Sequence, residues 1–270
     1  MTGLILAAFM VLAMLACVMA AAWAVQAATR NGGWLDVFWT FGVGAVAAAL
    51  AFAPLEALPA PLERRLAFAV LIALWSLRLG TYLFRRTAGA PEDARYAAIR
   101  RNAGPRPQGA LFGAAMAQAP AGALLVIPVG LAAHAPGPLG WTDLAAALTL
   151  AAAIVGAGVA DAQLAGFKAD PRNRGKVCDR GLWRLSRHPN YVFEWLGWCA
   201  FPVAALGHGP ASPWFWASLT APALMYLLLR HVSGVPPLER SMLASRGEAY
   251  RTYQARTPIF FPIPMKRHSR

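Results

Sequence analysis

The chain has 270 residues, 58% of them hydrophobic and only 14% charged, and its mean hydropathy is +0.45. That composition excludes a soluble domain of ordinary type, and the formal net charge of +13 must be weighed against the bias of Lys and Arg toward cytoplasmic loops before it counts as a nucleic-acid footprint. The three cysteines, Cys17, Cys178 and Cys199, outline neither a disulfide framework nor a CxxC metal site.

Taken in chain order, windows of roughly 20 apolar residues predict seven membrane-spanning helices. The first, 3–29, lacks a basic leading segment and is too long for a signal peptide, so it reads as a retained span. The second, 33–53, starts with GWLDVFWTFG and places Asp36 just inside the apolar run. Its GVGAVAA stretch from Gly42 imitates a dinucleotide fingerprint without the βαβ unit that gives those glycines their role, and predicts close helix packing instead. The third, 64–84, carries Arg78, with Tyr82 one turn later. The fourth and fifth are 110–134 and 140–166, with Asp161 near the end of the fifth. The sixth, 190–208, opens on SRHPNYVFEW, which brings Asn190 and Glu194 into the segment, and the seventh is 212–231. Residues 232–270 then form a polar cap, so the expectation is one all-α membrane domain over 1–270.

Basic residues set the expected orientation. Six lie in the 85–109 loop, seven in the 167–189 loop and eight from Arg230 onward, 21 of the 25 in all, whereas HAPGPLG at 134–140 and GHGPASP at 207–213 contain no Lys or Arg. The amino terminus is therefore expected outside and the carboxyl terminus in the cytoplasm, which accounts for most of the charge and argues against a nucleic-acid partner.

Ionisable side chains inside spans are costly and usually face a bundle interior or a wet cavity. Asp36, Arg78, Asp161 and Glu194 all fall toward the arginine-rich end, and describe a polar chamber open to the cytoplasm. The plainer reading makes Asp36 and Arg78 a structural pair, Asn190 a helix cap and Glu194 a snorkelling acid. Acids on the walls and cations at the mouth suit a nucleotide, since carboxylates accept ribose hydroxyls while Lys and Arg hold phosphates. Pro189 suits a first helical turn, and Asn190 and Glu194, four apart, share a face. Trp183 reads as an anchor, with stacking on an adenine as the second reading. His188 has no second histidine near it in sequence, and no metal site is predicted.

GLWRLSRHPNYVFEWLGW, Gly181 to Trp198, with LERSMLASRGEAYRTYQARTPIFFPIP, Leu238 to Pro264, resembles the carboxyl-terminal half of the steroid 5-alpha-reductase-like membrane proteins. That clan also holds sterol C14-reductases and isoprenylcysteine carboxyl methyltransferases. GWLDVFWTFG, together with APEDARYAAIRR at Ala90 to Arg101, is similar to an uncharacterised bacterial branch. The resemblance implies NADPH held by Asp161, Asn190 and Glu194, with Lys168, Lys176, Arg187, His188, Tyr191, Arg230, Glu239, Tyr250 and Tyr253 in a looser polar shell. It departs from the steroid reductases in one respect: their early Gln-Glu pair has only Asp36 as its counterpart. Asp36, if protonated, would polarise a substrate carbonyl, and Tyr82 is the candidate proton donor. The implied protein is a bacterial inner-membrane reductase that takes hydride from NADPH and delivers it to a conjugated C=C bond of a steroid-like, isoprenoid or other lipid entering from the bilayer, with no obligate protein partner. Two alternatives stand beside it: an S-adenosylmethionine-dependent methyltransferase of the isoprenylcysteine type, and a non-enzymatic lipid-binding or assembly protein.

Overall fold

The computed structural model describes residues 2–262, and among them no strand occurs. The cap positions 263–270, including the last two residues of the carboxyl-terminal motif, lie outside the described residues. Among the described residues five helices are long and apolar enough to cross a membrane: α1 (Thr2–Thr29), α2 (Gly33–Phe52), α3 (Leu62–Thr87), α5 (Pro107–Ala133) and α6 (Trp141–Ala169). The fold is that of an all-α polytopic membrane protein. Between α3 and α5 a short helix, α4 (Ala94–Asn102), begins where the Asp93 carboxylate accepts the Arg95 amide at 2.9 Å, filling one of the orphan donor positions at a helix start.

The last two expected spans are less regular than the sequence suggests. The sixth becomes α7 (Pro189–Ala205) followed by a 3-10 turn at Leu206–His208. The seventh divides into α8 (Pro213–Ser218), α9 (Thr220–Leu227) and a π-helical turn at Leu228–Val232. Pro222 gives the physical reason for the first break: it has no amide to offer the Ser218 carbonyl, and its ring crowds that position. The polar cap folds as α10 (Val235–Arg246) and α11 (Glu248–Arg256), separated by Gly247 at φ +52.

The described residues form two compact units, 2–147 with Cys199–Leu224, and Leu148–Trp198 with 225–262. In the first, α1, α2, α3 and α5 bury Leu15, Met19, Leu35, Val43, Ile72 and Leu125 completely. The glycines of GVGAVAA do the packing expected of them: a Cβ on Gly44 would lie 2.1 Å from Ser76 Cβ, and one on Gly42 would lie 2.6 Å from Val18. The same crossing is fixed by Ser76 Oγ donating to the Thr40 carbonyl at 3.1 Å.

A buried ion pair that the sequence reading missed closes this unit at the end opposite α4. Arg64, 2% exposed, donates both terminal nitrogens to the carboxylate of Asp143, 6% exposed, at 2.7 Å each. Arg64 also reaches the Pro138 carbonyl at 3.0 Å, and Asp143 accepts the Gly140 amide at 2.8 Å. Two charges taken out of water are tolerated because almost every donor and acceptor has a partner.

The second unit holds the later part of α6, the beginning of α7 and the cap helices. Phe193 of α7 lies where a Cβ on Gly156 would come within 2.3 Å of its ring, so the absent side chain lets α7 seat against α6. Trp183 Nε1 donates to the Ala160 carbonyl at 2.9 Å, and Tyr253 OH donates to the Trp183 carbonyl at 2.5 Å. This chain of bonds ties α6, the 167–189 segment and α11 together.

Candidate functional site

Asp161, Asn190 and Glu194 come from two helices of the second unit, and the first two are in contact. Asn190 Nδ2 donates to Asp161 Oδ1 at 3.2 Å. Asp161 is buried, Asn190 and Glu194 are half-buried, and Glu194 follows Asn190 by one helical turn on the same face. Glu194 Oε1 accepts Trp198 Nε1 at 3.1 Å, one turn further along α7. A carboxylate, an amide and a second carboxylate thus stand along one seam of helices, next to the Ala160 carbonyl that receives Trp183. Trp183 itself is buried and its N–H is committed, so it packs the site from within and has no open face for a purine.

A second constellation surrounds Glu239 on α10. Its Oε1 accepts Arg187 Nε at 2.7 Å, His188 Nε2 at 3.1 Å and Tyr250 OH at 3.3 Å, and its Oε2 accepts Gln254 Nε2 at 2.9 Å. Arg187 continues to the Gln254 and Thr257 carbonyls at 3.1 and 2.8 Å, and its own amide donates to the Pro258 carbonyl at 2.9 Å. Burial alone would raise the Glu239 carboxyl, but the hydrogen bonds from His188 and Arg187 overcome it and hold it at about 2. Burial is also the main reason His188 is shifted below its ordinary value, against the pull of Glu239. His188 therefore serves as a neutral donor, and Arg187 carries the countercharge. Burial first, then the adjoining Glu239 charge, push the Tyr250 phenol up, which keeps its proton in place. His188 and Tyr191 stack at 5.5 Å between ring centroids.

Lys168 and Lys176 are exposed and Arg230 is half-buried in the π-helical turn. Of the other basic residues in this segment, Arg172 pairs with Asp170 and Arg180 lies over the Phe167 ring. Tyr253, buried, is a bracing residue through its bond to Trp183.

In the first unit, Asp36 binds α4. Arg95 Nη2 donates to Asp36 Oδ2 at 2.5 Å and Tyr96 OH donates to Oδ1 at 2.6 Å. Burial, then the Asp36 charge, push the Tyr96 phenol well above its ordinary value, so the shared proton stays on the phenol. Asp36 accordingly accepts at both oxygens, an arrangement that opposes its use as a protonated carbonyl polariser. Tyr82 lies under the Arg78 guanidinium, 5.8 Å from ring centroid to charge.

A family described as proteins of unknown function (DUF1295) matches residues 22–257. The chain belongs to that family. No curated protein matches it, and no solved structure does.

The sequence nominates acids more readily than their partners. Arg95 and Tyr96 sit in a loop-like arginine run and gave no signal that they serve Asp36. Gln254 was missed as a donor to Glu239. Trp198 was legible in principle, because an indole four residues after a glutamate on a helix is within reach.

Proposed function

We propose that the protein is a membrane-embedded, NADPH-dependent reductase acting on a conjugated C=C bond of a lipid, in the manner of the steroid 5-alpha-reductase-like family. The observation that carries the reading is the Asp161–Asn190 hydrogen bond with Glu194 one turn beyond. It joins two of the three positions at which the chain resembles those reductases most closely, in an apolar helical pair where unneeded carboxylates are expensive.

The donor set fits such a cofactor. Asp161, Asn190 and Glu194 offer acceptors to ribose hydroxyls, while Lys168, Lys176 and Arg230 supply charge for phosphates. When bound, NADPH supplies the hydride. The chain's own residues orient and confine. Gly156 seats Phe193 so that Asn190 reaches Asp161. Arg187, His188, Tyr250 and Gln254 hold Glu239 and, with it, the cap. In this reading Arg187 acts as a brace, since its guanidinium is occupied by Glu239 and two carbonyls.

That last point favours a second reading. With Arg187 and Arg172 engaged, the segment holds less uncommitted cation than its sequence suggests, which suits S-adenosylmethionine, a cofactor without phosphates, better than a simple count implies. Incubation of purified protein in lipid vesicles with NADPH deuterated on its nicotinamide ring separates the two. The reductase reading expects deuterium in a recovered lipid and an equal amount of NADP+. Methyl transfer from labelled S-adenosylmethionine, with no deuterium incorporation, would replace it.

A further inference from the structure

Residues 26–36 and 85–108 of the first unit hold seven arginines and three acids. The structure shows how unequally those charges are disposed. Arg86 donates to Asp93 at 2.5 Å, Arg95 to Asp36 at 2.5 Å and Arg100 to Glu92 at 2.8 Å, so all three acids have their own arginine. The other four, Arg30, Arg85, Arg101 and Arg106, are exposed.

Those four surround one end of the unit. Arg30 precedes Asn31, whose side chain donates to the Thr87 and Ala90 carbonyls, and Arg85 lies two residues before Thr87. Arg101 follows Arg100, which reaches Gln26 Oε1 at 3.2 Å, and Arg106 lies two residues before Gln108, which accepts Gln26 Nε2 at 2.7 Å. One hydrogen-bonded frame therefore carries the four outward charges. Large apolar side chains next to them are open as well: Phe84, adjoining Arg85, is 46% exposed, and Phe112 on the first turns of α5 is 42% exposed. Cations bordering exposed aromatic side chains on helices long enough to span a bilayer match headgroup level, with acyl chains on one side and water on the other.

We propose that this collar, Arg30, Arg85, Arg101 and Arg106, is a docking surface for the headgroups of anionic phospholipids. The internal pairing of the acids gives the reason. It removes the local negative charge that would repel a phosphodiester while keeping four guanidiniums able to form bidentate bonds to one. Basic clusters beside a membrane span act on anionic lipid in this way, each residue contributing on the order of fivefold to local enrichment. The proposal is independent of the cofactor, since none of the four belongs to the second unit.

The test uses the full-length protein in nanodiscs of phosphatidylcholine, with and without phosphatidylglycerol, and reads amide exchange over residues 94–106. Exchange there should slow on the order of fivefold with the anionic lipid and return toward its original rate in high salt. A variant carrying Arg30→Gln, Arg85→Gln, Arg101→Gln and Arg106→Gln should lose the difference, whereas Arg174→Gln with Arg184→Gln in the second unit should keep it. If the fourfold variant does not insert, Arg101→Gln with Arg106→Gln alone must still reduce the slowing. Equal exchange in the two lipids, equal loss in the second-unit control, or the same slowing from soluble glycerophosphate in phosphatidylcholine discs would each overturn a lipid-headgroup surface.

Discussion

Glu239 takes hydrogen bonds from Arg187, His188, Tyr250 and Gln254, so a single carboxylate governs how the cap is held. Its pH response follows from two shifts of the same sign. His188 lies below its ordinary 6.5 in the folded chain, so the unfolded chain takes up the proton more readily and stability falls as pH drops through that region. Glu239, ordinarily 4.5, is held at about 2, and its share is lost as pH falls further between those values. Limited proteolysis near Gly247 should therefore accelerate between about pH 7.5 and about pH 5.5, where an ordinary histidine changes charge, and stay level above that interval. Arg187→Lys should loosen the same cap, because an ammonium presents its donors from a single nitrogen, whereas the guanidinium reaches the carboxylate and the two carbonyls from separate nitrogens; the same digestion measures it, and wild-type rates would contradict the bracing role. At Glu194, a change to Gln keeps the size and one acceptor. It should leave folding intact while weakening NADPH binding by about 1–3 kcal/mol, as read by equilibrium titration. A Glu194→Leu protein that melts higher and binds NADPH as the wild type does would reduce that glutamate to a tolerated acid in a helix.

Helix packing is set by missing side chains as much as by present ones. A Gly156→Val change would drive a methyl into the Phe193 ring, which already stands 2.3 Å from where a Cβ would be. The expected result is a loss of about 1–3 kcal/mol in stability, characteristic of an overfilled contact, together with weaker cofactor binding as Asn190 is drawn from Asp161. Adding Phe193→Ala should recover part of the stability, since it removes the obstructed ring; thermal melts of the two single variants and the double variant measure the coupling. At the element scale the sequence was informative where periodicity and length agree. The first five spans needed about 20 apolar residues each, and helices of that length formed. It was less informative at the sixth and seventh, where average hydropathy conceals what prolines do to a hydrogen-bond ladder. Pro222 divides the segment expected as the seventh span although its neighbours Ala221, Ala223 and Leu224 are apolar. Glycine packing at Gly44 was legible because no strand precedes the motif, whereas the Arg64–Asp143 pair was not, since both residues sit at span ends where charge is ordinary.

Across the whole molecule, the sequence conveyed the architecture more fully than the site. Apolar content and span length require helices that satisfy their own backbone in lipid, and that constraint leaves few alternatives. Site chemistry depends on which partner each polar group meets, and those meetings are long-range: Arg187 with Glu239 is separated by 52 residues and Asp36 with Tyr96 by 60. Spacing in a loop counts Arg187 among the candidate phosphate ligands, and in the fold its guanidinium meets Glu239 and two cap carbonyls. The resemblance to reductases nominates Asp161, Asn190 and Glu194 together, and in the fold Asp161 and Asn190 are in contact. The measurement that tests this account most directly is a paired equilibrium titration of the purified, detergent-solubilised protein with NADPH and with S-adenosylmethionine, repeated on Asp161→Asn and Glu194→Gln. Saturable NADPH binding, tighter than S-adenosylmethionine and weakened in both variants, is the result the account predicts. Preference for S-adenosylmethionine, or NADPH binding unaffected by either substitution, would contradict it.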